Sequence, residues 1–136
     1  PDRVTSMSRP ARWLAPLAAD LLCVLALAAG GKDTHDADQS DWVILVIAWP
    51  FAFAAVAAHL AMASRGRPTT RIWPDGVVVV VVTYVLGMLV RGLAGRGLAP
   101  GFLVVAGLFL TATMLGWRLV ALLVRRRSTS RARTTR

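Results

Sequence analysis

The sequence predicts an all-α fold: an integral membrane four-helix bundle with both chain ends on the cytoplasmic face, N-in/C-in. Three observations predict it. Four long apolar stretches occupy about residues 13–31, 42–64, 72–94 and 101–124. Each is close to the ~20 residues that cross a hydrocarbon core at about 1.5 Å rise per residue. The chain is 56% hydrophobic with mean hydropathy +0.58, more apolar surface than a small soluble domain can hide. The flanks of the four stretches also alternate in charge: basic, acidic, basic, nearly neutral, strongly basic.

That alternation fixes the expected topology. Arg3, Arg9 and Arg12 precede the first stretch, and Arg65, Arg67 and Arg71 lie in the second connection. Arg125, Arg126, Arg127, Arg131, Arg133 and Arg136 follow the fourth. Four crossings put all of them on one side, which is the positive-inside bias. The net charge of +9 is therefore read as topological and lipid-facing, with anionic lipid headgroups expected at Arg125, Arg126 and Arg127, and not as a nucleic-acid surface. The first connection holds Asp33, Asp36, Asp38 and Asp41 against one Lys32 and belongs outside. One domain is expected, residues 13–124, between a cytoplasmic tail at 1–12 and a basic, disordered cytoplasmic tail at 125–136.

The first span starts near Trp13, an interfacial anchor, with Pro16 in its first turn and Gly30-Gly31 at its end. Its basic start and apolar middle are also those of a signal peptide. Asp20 interrupts that apolar run, and Leu22 rather than a small residue precedes Cys23, so a retained span is the reading preferred. The second span runs from Trp42, carries Pro50 where a kink is expected, and has alanines at four-residue spacing suited to close helix packing. The third opens with Trp73-Pro74-Asp75-Gly76, where proline suits a first turn and Asp75 complements the positive helix end. Val77 to Val82 would favour a strand in water. In a bilayer an isolated strand leaves its backbone unpaired, so a helix is expected. Pro100 opens the fourth span, which stops at Arg125–Arg127.

The polar residues inside the spans are the candidate site. Charge at membrane depth needs a partner or water. Counting from the cytoplasmic boundaries puts Asp20 and Thr83 about 12 Å deep, Arg118 about 10 Å and His59 about 9 Å. One residue from each span thus falls into one intramembrane polar layer. Gly107, Thr111, Met114 and Arg118 share a stripe on the fourth span, and Thr83, Gly87 and Arg91 one on the third. An Asp20–Arg118 ion pair is expected, with His59 and Thr83 beside it. Such a pair serves as structural glue or as part of a proton, ion or ligand pathway, and Arg118 without it would snorkel to the cytoplasmic headgroups.

Weaker signals remain. Arg91, Gly92, Gly95 and Arg96 form a candidate cradle for an anion or phosphate headgroup. The acidic connection lacks the turn glycine and terminal Glu of a calcium loop, so no metal site is expected. Cys23 is the only cysteine and can form no disulfide within one chain. No Ser/His/Asp set, CxxC or nucleotide loop is present, so no enzyme and no cofactor is expected.

The order Asp20, Gly31…His35, Trp49-Pro50, Trp73-Pro74…Gly76, Thr83…Gly87-Met88…Arg91, Phe102 and Gly116-Trp117-Arg118 resembles a known family. It is a family of small actinobacterial four-helix integral membrane proteins of unknown function, domain of unknown function 3054. The resemblance covers about residues 13–124. It implies a multi-pass protein of the bacterial cell (inner) membrane and no assigned activity. Lys32-Asp33-Thr34 departs from the more basic stretch usual before His35. The expected role is a non-enzymatic accessory, scaffold or self-associating subunit, partnered by the lipid bilayer and by further copies or a larger membrane complex. The alternative is a small oligomeric transporter or channel using Asp20, with Arg118 and His59.

Overall fold

In a computed structural model, residues 11–32 and 42–134 are described. They form four helices and no strand: α1 (Ala11–Lys32), α2 (Trp42–Ser64), α3 (Val77–Leu93) and α4 (Pro100–Thr134). All four are long and apolar enough to cross a membrane. α2 packs on α1 and α3, and α4 packs on the same two, closing a four-membered ring. Contacts near both ends of α1 and α2 show that they run antiparallel. Gly31 lies against Ile47, and Asp20 bonds to His59.

The core follows helical spacing. Ala48, Phe51, Ala55, Ala58 and Met62 recur along one face of α2, and Val24, Leu27 and Ala28 face them from α1. The outward faces are equally apolar: Leu22 is 66% exposed and Leu108 68%. A water-soluble bundle of this size carries charge on those faces. Here hydrocarbon is the matching solvent, so the fold reads as a multi-pass membrane protein.

Small residues let the helices approach. A Cβ on Gly87 would sit 2.5 Å from the ring of the buried Phe51, so α3 can meet α2 there only with no side chain. Phe51 reaches on across the ring to Phe102 of α4, with centroids 6.2 Å apart and planes tilted by 56°.

Four expectations change. The residues 72–76 are not the first turn of α3 but a separate wide turn. Trp73 is extended (φ −120°, ψ 137°), the Trp73–Pro74 peptide is cis, and the Val77 N–H bonds to the Ile72 carbonyl. Pro16 lies in the second turn of α1, where it removes one helical hydrogen bond. The buried stripe of α4 is Ala106, Leu110, Met114 and Arg118. Gly107 is only half-buried, and the exposed Thr111 turns its hydroxyl back onto the Gly107 carbonyl at 2.7 Å. Last, the tail expected to be disordered continues α4 as helix to Thr134. Propagating an existing helix is cheap, and arginine is a good helix former. The Ser128 and Thr129 hydroxyls bond to carbonyls three or four residues back. α2 runs unbroken through Pro50. Asp33, His35, Asp36, Asp38 and Asp41 lie outside the described residues.

Candidate functional site

α1, α2 and α4 each deliver polar side chains to one point inside the bundle. Asp20 is completely buried. Its Oδ2 accepts from Arg118 Nη2 at 2.7 Å and from His59 Nε2 at 2.8 Å. Its Oδ1 accepts from Arg118 Nη1 at 2.8 Å and from Trp117 Nε1 at 2.7 Å. The Arg118 contact is bidentate, the strongest form of carboxylate recognition. A carboxylate has about four acceptor sites. Asp20 therefore has none left for a substrate, ion or proton while this arrangement holds.

Arg118 uses four of its five N–H groups. Its Nε donates to the Thr69 carbonyl at 2.9 Å, and Nη1 donates also to the Met114 carbonyl one turn back at 2.6 Å. Its guanidinium lies 4.5 Å from the Trp117 ring centre. The side chain passes over Gly76, where a Cβ would stand 3.0 Å from Arg118 Cδ and 2.5 Å from the Arg71 carbonyl. Gly76 is thus the floor that lets Arg118 reach the connection after α2. One guanidinium ties α1, α4 and that connection together, and His59 adds α2 through the shared carboxylate.

The residues expected in the layer differ in their fate. Asp20, His59 and Arg118 are brought together. Thr83 is completely buried on α3, but its hydroxyl has no hydrogen-bond partner and does not join them. Counting from the Gly87–Phe51 contact, Thr83 comes level with Ala55, about one helical turn from His59. His59 donates through Nε2, which leaves Nδ1 buried without a partner. Two participants were not expected. Trp117 stands in the sequence reading only within Gly116-Trp117-Arg118, with no role of its own, and the Thr69 carbonyl is backbone that no motif announces.

The glycine-rich connection is arranged differently from an open cradle. Arg91 is half-buried, donates from Nε to the Gly97 carbonyl at 3.3 Å and lies 4.3 Å from the Phe102 ring centre. Arg96 donates its backbone N–H to the Arg91 carbonyl, and Gly95 takes a positive φ of 72°. Gly92 packs near Leu98. The connection turns Arg91 inward and uses it as a strap. Asp75, expected at a helix end, is buried and pairs with Arg67 at 3.0 Å.

No curated protein and no solved structure matches the chain. A family model described as "Protein of unknown function (DUF3054)" matches residues 17–121, which takes in Asp20, His59, Thr83, Trp117 and Arg118. The chain belongs to that family.

Proposed function

We propose that this protein is a non-enzymatic accessory or scaffold subunit of the bacterial cell membrane, with both ends cytoplasmic, and that the cluster on Asp20 is a structural lock. The carrying observation is the saturation of the Asp20 carboxylate by donors from three side chains. A carrier's acidic residue must exchange ligands. This one is fully used in holding helices. Lipid tails supply no hydrophobic force between helices, so interhelical polar bonds and close packing must specify the bundle. The apolar outer faces then remain free to meet lipid, another copy or a membrane partner. The basic residues Arg125, Arg126 and Arg127 are exposed on α4 and suit anionic headgroups. Arg12, Arg67 and Arg125 line one cleft at one end of the bundle, which supports a shared cytoplasmic side.

A second reading has its own observation. His59 Nδ1 and Thr83 Oγ1 are buried and lack partners, as stations on a proton path would in a resting state. One comparison separates the two. Asp20→Asn and the double variant Asp20→Asn/Arg118→Gln are expressed, extracted gently, and followed for complex size and thermal stability. The lock predicts a loss for the single variant and partial recovery for the double. A carrier predicts intact assembly in both, with proton-coupled flux in vesicles abolished.

A further inference from the structure

The basic end of the bundle holds a cleft of about 810 Å³ that the Asp20 lock does not use. It lies between the start of α1, the end of α2 with its following connection, and α4. Arg12 from α1, Arg67 from the connection and Arg125 from α4 line it, with Thr69 and Thr70. Arg67 is partly neutralised by Asp75. Arg12 and Arg125 are exposed and have no ion pair among the described residues. Thr69 is 4% exposed, yet its hydroxyl has no partner, an arrangement that leaves a buried donor to be satisfied by something else. Trp13, Pro16 and Ala63 supply an apolar wall. A second cleft of about 430 Å³ shares Thr70 and Arg125 with the first and is lined by Arg71 and Arg118 as well as by Trp73, Trp117 and Leu122.

The geometry points to a binding site for a phosphoryl group carried on an amphipathic molecule, the headgroup of an anionic phospholipid. Guanidinium groups from three segments, lining one cleft with two threonines of the connection, match a tetrahedral anion with several acceptor oxygens. A soluble anion would leave the tryptophan and proline walls wet. A lipid covers them, and the second cleft that shares Thr70 and Arg125 adds the Arg71 guanidinium and the apolar Trp73 and Leu122 beside the first. The site is also tied to the lock, because Arg118 fixes the Thr69 carbonyl at the cleft floor. It does not rest on the scaffold reading, since a carrier would offer the same cleft.

The test uses the full chain in nanodiscs of equal phosphatidylglycerol and phosphatidylcholine, transferred to detergent and weighed intact by native mass spectrometry. Wild type should retain phosphatidylglycerol selectively. Arg12→Gln/Arg125→Gln removes two exposed charges without disturbing the core and should lower that retention about tenfold. Thr69→Val should lower it about threefold. Arg65→Gln takes an exposed charge from the same end of the bundle outside the cleft and should change it less than about twofold. A parallel arm adds millimolar inorganic phosphate. Displacement of lipid, or binding of phosphate in its absence, would support the phosphoryl chemistry and move its source to a soluble molecule. Equal retention of both lipids, with phosphate inert, would overturn the proposal. So would an equal loss in the cleft and surface variants.

Discussion

The two halves of the bundle are held by different physics. The half nearer the basic end is clasped by one carboxylate, one guanidinium, an imidazole and an indole, all within hydrogen-bond reach. The other half has Gly87 against Phe51, Phe51 against Phe102, and Arg91 laid over Phe102. One half depends on directional bonds that fix which helix meets which. The other depends on fit between a ring and a missing side chain. Hydrophobic burial alone cannot order helices in lipid, and here the two remaining devices are used at separate levels.

The comparison can be broken most severely at the charged half. Asp20→Ala leaves Arg118 buried without its counter-ion and should cost about 3–5 kcal/mol, the range for breaking a buried pair. Denaturation in mixed micelles would measure it, and a cost near zero would mean that Arg118 escapes to the headgroups. Next is the packed half. Gly87→Val forces the Phe51 ring aside and should cost about 1–3 kcal/mol, with a larger loss in a Gly87→Leu variant. If both are neutral, the α2–α3 approach is looser than the contact implies. Trp117→Phe keeps the ring over Arg118 and removes one donor to Asp20. About 1 kcal/mol is expected, read from the same unfolding curves. The smallest effect is assigned to Thr83→Val. Its hydroxyl bonds to nothing, so the apolar replacement should be neutral or stabilising. A clear loss of stability there would mean that the hydroxyl has a partner in the membrane.

The same contrast explains what could be read from the chain before folding. Span ends were legible where hydropathy and arginines set them, as at Trp42 and Ser64, which match α2 at both ends. The Asp20–Arg118 meeting was legible because charge at that depth has few alternatives. The packed half was silent. Nothing in Gly87 or Phe51 alone announces that they touch, because complementarity belongs to the pair. Trp117 stood beside Arg118 in a motif but nothing in the sequence aimed its indole N–H at Asp20, and Thr69 contributes a carbonyl that every residue has. The turn 72–76 was misread because Pro74 suits a helix start in general, while here the chain must pass under Arg118 first. The continuation of α4 was missed because an arginine-rich run has no apolar stripe to betray a helix, although its propensity permits one.

The sequence separation within the lock has a consequence for biosynthesis. Asp20 lies on α1 and Arg118 on α4, so the acid is made well before its counter-ion. Until α4 emerges from the ribosome, the nascent chain carries an acid with no counter-ion in the lipid, against an insertion penalty of about 2.5–3.5 kcal/mol for such a residue. A chain stalled before α4 should therefore be released from the membrane or recognised by a membrane protease, whereas one that includes α4 is sealed. The lock closes only once α4 has joined the spans made before it.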